Sequence, residues 1–129
     1  MNITGYHHVG LRVGDMERSL KFYTEGLGGK VIDSFPMAGS GATIYMVELA
    51  KGTVVELLPG GTDEAELNAR FAHIALSVDD AESAYEQALN AGATSRTAPN
   101  KVKRESMTRI NAFVFAPAGE IIEFFQVIQ

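Results

Sequence analysis

The chain has 129 residues, 46% hydrophobic and 21% charged, so one ordinary globular domain with its own core is expected and wholesale disorder is excluded. Its formal charge of −5 argues against nucleic acid or an anionic membrane as partner, because clustered Lys and Arg hold both. No apolar run approaches the roughly 20 residues that span a bilayer; with no signal-peptide pattern and no cysteine, a cytoplasmic location is the expectation.

In chain order, the first patterned stretch begins at His8. Val9, Leu11 and Val13 alternate on one strand face, while His8 and Arg12 take the other. His7 has the parity of the apolar set and is read as an ordinary core or edge histidine. Asp15 is placed to cap a helix, and Met16, Leu20, Tyr23 and Leu27 follow at helical spacing, with Gly26 and Gly28 at its end. Strands are expected over about 29–35, 43–49 and 53–58, with Gly39-Ser40-Gly41 as a hairpin loop and Ala50-Lys51-Gly52 as a tight turn. Residues Pro59 to Arg70 form a link in which Thr62-Asp63-Glu64 is a candidate helix start.

The second half repeats the first. His73-Ile74-Ala75-Leu76-Ser77-Val78 resembles His8-Val9-Gly10-Leu11-Arg12-Val13 at an offset of 65 (73 − 8). Asp80 caps a second helix carrying Ala81, Ala84, Tyr85 and Ala88, which ends near Gly92. Strands are expected over about 93–97, 109–115 and 121–127, with Ala116-Pro117-Ala118-Gly119 as a turn. Arg96, Lys101, Lys103, Arg104 and Arg109, against the single acid Glu105, form a basic island read as a solvated loop. The fold class is therefore α+β, a single domain of two tandem β-α-β-β-β modules, about 5–58 and about 71–128. One helix covers only one face of each sheet, so curved mixed sheets around a shared cleft are expected.

Four side chains stand at equivalent places in the two modules. His8 and His73 begin the first strands; Glu56 interrupts Val54-Val55-Glu56-Leu57-Leu58, and Glu123 interrupts Ile121-Ile122-Glu123-Phe124-Phe125. The His-to-Glu separations are 48 (56 − 8) and 50 (123 − 73). A lone strand histidine or glutamate usually has a bland role. A carboxylate buried unpaired among apolar neighbours, however, costs at least several kcal/mol, and a dication removes that difficulty for both. Two imidazoles and two carboxylates suit one zinc, nickel, cobalt, manganese or iron(II) ion. Octahedral coordination would leave two positions for an oxygen substrate, which favours catalysis.

Together, His8-Val9-x-Leu11-Arg12-Val13-x-Asp15, Phe22-Tyr23, Phe71-Ala72-His73-Ile74-Ala75-Leu76-Ser77-Val78 and Pro117-x-Gly119-x-Ile121-Ile122-Glu123 resemble the vicinal oxygen chelate superfamily, and within it glyoxalase I. The resemblance implies a glyoxalase-like fold and a homodimer with each metal cleft completed by two subunits. It implies His8, Glu56, His73 and Glu123 as metal ligands, Glu123 as the favoured base and Glu56 as its acid/base partner. The implied reaction turns a 2-oxoaldehyde thiohemiacetal into a 2-hydroxyacyl thioester through an enediolate. Arg12 matches an arginine that grips a glutathione carboxylate, and Lys101 and Lys103 are offered for the anionic tail of glutathione, another thiol or coenzyme A. Glu56 counts against relatives that bind metal with two histidines and one glutamate. Two departures, Pro59-Gly60-Gly61 where an asparagine commonly follows and Ala116-Pro117-Ala118-Gly119 in place of Asp-Pro-Asp-Gly, bear on which thiol is used. An acyl-CoA epimerase-like enzyme and a non-enzymatic small-molecule binding or resistance protein are the competing readings.

Overall fold

The computed structural model describes residues 1–2 and 4–128 and divides into two compact units, Met1–Asp63 and Glu64–Gln129. In the first unit the order is β1 (Val9–Arg12), α1 (Met16–Lys21), a π-helical turn over Phe22–Gly26, then β2 (Lys30–Pro36), β3 (Thr43–Ala50) and β4 (Thr53–Leu58). The second unit runs β5 (Ile74–Ser77), α2 (Ala81–Asn90), β6 (Thr94–Lys103), β7 (Thr108–Phe115) and β8 (Ile121–Val127). Each unit holds one four-stranded mixed sheet, ordered β1-β4-β3-β2 in one and β5-β8-β7-β6 in the other. The first strand of each unit pairs parallel with the last, and the remaining pairs are antiparallel. The class is α+β, as the doubled pattern requires.

Local chemistry explains the helix starts. Asp15 accepts the Arg18 backbone N–H at 3.0 Å and Asp80 that of Ser83 at 3.0 Å, so each aspartate satisfies a donor that the first helical turn leaves free. The first helix is not regular to its end. Leu27 N–H bonds to Phe22 O at 2.9 Å, an i to i+5 contact, while the Thr24 hydroxyl donates back to Leu20 O at 2.7 Å. Gly28 and Gly92 then take φ values of +82° and +106°, turning the chain where a side chain would be strained.

Alternation along the strands sets the core. In the first unit Val13, Phe22, Tyr23, Val47 and Leu57 are fully buried and Val55 nearly so; in the second, Ala81, Ala88, Ala112, Val114 and Ile122 are fully buried and Phe124 nearly so. Val55 and Leu57 flank Glu56, and Ile122 and Phe124 flank Glu123, so in each last strand the glutamate points to the sheet face opposite the helix-packed core.

Three expectations are corrected. No helix forms at Thr62-Asp63-Glu64; Asp63 instead accepts the backbone N–H groups of Gly14 and Asp15 at 2.9 and 3.1 Å and pairs with Arg18 at 3.6 Å. The basic island is not an irregular loop. β6 runs on to Lys103 and pairs with β7 as a hairpin closed by Arg104 N–H to Met107 O at 3.0 Å, because backbone pairing outweighs polar composition. His7 is not a core residue: it precedes the paired part of β1 and is exposed. Among the described residues, no helix is long and apolar enough to cross a membrane.

Candidate functional site

Each unit brings one histidine and one glutamate together. In the first unit the parallel register sets Gly10 beside Glu56, and His8, two residues before Gly10, reaches the same carboxylate with Nε2 3.7 Å from Glu56 Oε1. That distance is a close approach rather than a hydrogen bond. The other ring nitrogen of His8, Nδ1, lies 2.9 Å from His7 Nδ1, so His7 helps to fix the ring of its neighbour. Sequence parity gave no sign of this contact.

The second unit holds its pair more tightly. Ala75 stands beside Glu123, and His73 Nε2 lies 3.1 Å from Glu123 Oε1. The His73 and Phe113 rings stand nearly perpendicular at a centroid distance of 5.4 Å. Glu123 is only 6% exposed, yet both its oxygens are engaged, because Asn111 Nδ2 donates to Oε2 at 2.9 Å. Motif reading missed Asn111 and this contact with Glu123.

Each half offers an imidazole nitrogen and a carboxylate oxygen, a donor set suited to a borderline or hard dication. Among the described residues, no group of three or more His, Cys, Asp or Glu side chains stands together to hold a metal ion; the structure shows two His–Glu pairs, one in each unit.

The cationic candidates differ in placement. Arg12 is exposed on β1, on the strand side of Gly10 and hence of Glu56. Lys101 and Lys103 pair with Ile110 and Thr108, whereas Asn111 and Phe113 take the alternate positions of β7 that face Glu123. Strand alternation therefore sets the two lysines on the sheet face opposite that carboxylate. On the Glu123 face of the same hairpin, Arg109 lies over the Phe125 ring at 5.3 Å.

Comparison with known proteins agrees with this architecture. The chain is 36% identical over 123 residues to a lactoylglutathione lyase of Escherichia coli O157:H7, covering 92% of this chain and 90% of that protein. It is 33% identical to a probable lactoylglutathione lyase of a Synechocystis species, again over 92% of each chain. The crystal structure of glyoxalase I from Zea mays superposes with a TM-score of 0.76 at 27% identity, over 93% of this chain. The chain spans less than half of that maize protein, 43% of its length. The family model for the glyoxalase/bleomycin resistance protein/dioxygenase superfamily matches residues 5–124, and the chain belongs to that superfamily.

Proposed function

We propose that the chain is a divalent-metal-dependent lyase or isomerase of glyoxalase I type, with His8, Glu56, His73 and Glu123 serving one metal ion. The observation that carries this reading is the doubled His–Glu pair, His8 with Glu56 and His73 with Glu123, each histidine one residue before the first strand of its unit and each glutamate in the last. The side chains fit such an ion: Glu123 is a buried carboxylate with an imidazole nitrogen beside it. Nickel, zinc, cobalt, manganese and iron(II) all suit two nitrogens and two oxygens. When bound, the ion would supply electrostatic stabilisation for the charge that builds on the two adjacent oxygens of the substrate.

The chain's own carboxylates then handle the protons. Glu123 Oε1 accepts the C–H proton of the thiohemiacetal carbon and returns it to the neighbouring carbon, while Glu56 moves the hydroxyl proton between the two oxygens. The substrate is isomerised with no net change in oxidation state. Arg12, on the Glu56 side of β1, is proposed to grip a substrate carboxylate bidentately. A glutathione adduct is the proposed substrate because curated relatives bear the name lactoylglutathione lyase at 33–36% identity. The enzyme is proposed to act as a homodimer in the cytoplasm.

The deciding experiment loads the purified protein in turn with nickel, cobalt, zinc, manganese and iron(II) and supplies the methylglyoxal–glutathione thiohemiacetal. Formation of lactoylglutathione is expected with at least one metal. No turnover with any of them rules out the glutathione reaction.

A further inference from the structure

The two halves repeat each other except at one point that bears directly on a glutamate. In the second unit, Phe113 pairs with Glu123, and Asn111, two residues earlier on the same face of β7, pairs with Phe125. In the first unit, Met46 pairs with Glu56, and the residue two positions earlier is Ile44. An amide donor thus stands where its counterpart offers only hydrocarbon. The consequences are visible. Glu123 is contacted at both oxygens, by a hydrogen bond from Asn111 at 2.9 Å and by the His73 ring nitrogen at 3.1 Å, and its side chain is 8% exposed. Among the described residues, no side chain donates a hydrogen bond to Glu56; its ion pair is with His8, at 3.7 Å, and its side chain is 18% exposed.

The terminal torsion of a glutamate is soft, so a carboxylate without a second contact swings over a broad range. A donor on Oε2 stops that rotation and leaves Oε1 directed at one place. The amide must present its NH2 side here, since its carbonyl oxygen would face a negative charge. It also satisfies an acceptor that would be costly to leave bare at this depth. Polar contacts behind a metal ligand commonly alter metal affinity or activity by about 10- to 100-fold.

We infer that Asn111 is a positioning residue that fixes the carboxylate of Glu123, so that the two glutamates of the repeat are unequal: Glu123 is the preorganised arm and Glu56 the looser one. This rests on the metal-centre reading given above.

The test compares wild type with Asn111→Leu, which keeps the size and removes the amide, and Asn111→Gln, which keeps a donor. Cobalt(II) alone is the probe, followed by chelator competition and by its visible absorption bands; kcat and KM are measured separately, and thermal unfolding of the metal-free proteins reports on packing. The expected result for Asn111→Leu is cobalt affinity lower by about 10-fold or more, an altered visible band and a fall in kcat with little change in KM. The metal-free unfolding midpoint stays near wild type, and Asn111→Gln recovers part of the loss. Cobalt affinity, spectrum and kcat all unchanged in Asn111→Leu overturn the positioning role alone. Equal losses in both variants with a lowered unfolding midpoint also overturn it, since Asn111 would then only pack. A wild type that takes up no cobalt overturns the metal centre, and the inference with it.

Discussion

Gly10 lies beside Glu56 in the parallel ladder, and a Cβ placed on it would stand 3.4 Å from Glu56 Oε1 and 3.2 Å from Leu58 Cδ1. The missing side chain leaves the carboxylate its room beside His8. In the second unit Ala75 holds the same place beside Glu123, so one methyl group is compatible with this geometry. Gly10→Ala is therefore expected to keep cobalt affinity within about threefold of wild type. Gly10→Val adds branches that must displace Glu56 or Leu58, and crowding of that kind costs about 1–3 kcal/mol. Its cobalt affinity is expected to fall by about 10-fold or more in a chelator competition assay. Equal affinities for the two variants would mean that Glu56 does not need this space.

Asp63 ties the segment after β4 back to the start of α1 through Gly14, Asp15 and Arg18. Two backbone donors bonded to a partly exposed carboxylate outweigh the Arg18 contact, which is long and largely solvated. Asp63→Ala is expected to destabilise the fold by about 1–3 kcal/mol in urea denaturation. Asp63→Asn, which retains an acceptor, should lose less. If both variants unfold at the wild-type midpoint, the tether contributes nothing and the segment is held by other contacts.

Arg12 and the two hairpin lysines make different predictions because the strands place them differently. Losing a charge-assisted hydrogen bond to a substrate carboxylate costs about 1.5–3 kcal/mol. Arg12→Met is accordingly expected to raise KM for the glutathione adduct about 10-fold or more with little effect on kcat. Lys101→Met and Lys103→Met, on the face opposite Glu123, are expected to change KM by less than about threefold at moderate salt. A rise in KM from either lysine matching that of Arg12 would show that these long side chains reach the substrate around the sheet edge.

What was readable in the sequence was whatever depends on period and repetition. His8, Glu56, His73 and Glu123 could be paired within their halves because strand parity and the offset between copies are local properties of the chain. Asn111 could not, since its partner Glu123 is fixed by the register of β7 against β8; the only sign was a polar residue two places before Phe113. Asp63 acts across separations of 48 and 49 residues, and its apparent helix-starting position pointed elsewhere. The far end of β6, with Asn100, Lys101 and Lys103, lacks the apolar alternation that marks a strand, and is one because β7 supplies its hydrogen bonds.

The number of metal ions bound per chain discriminates between a shared centre and two separate pairs. Each pair by itself gives one nitrogen and one oxygen, a poor hold on a dication that prefers four or more ligands. If both pairs serve the same ion, dialysed protein should retain about one equivalent of cobalt per chain by elemental analysis. Removing one histidine should then weaken the whole centre: His8→Ala and His73→Ala are each expected to lower cobalt affinity by about 100-fold or more, roughly 2.7 kcal/mol. Bound metal also stabilises the folded state by about 2.7 kcal/mol when its free concentration is 100 times Kd. Cobalt should therefore raise the unfolding midpoint of the wild type, and at the same concentration do almost nothing for either variant. Independent pairs give the opposite pattern, with two equivalents in the wild type and one retained in each variant. That result would separate the halves and remove the basis for assigning both glutamates to one reaction.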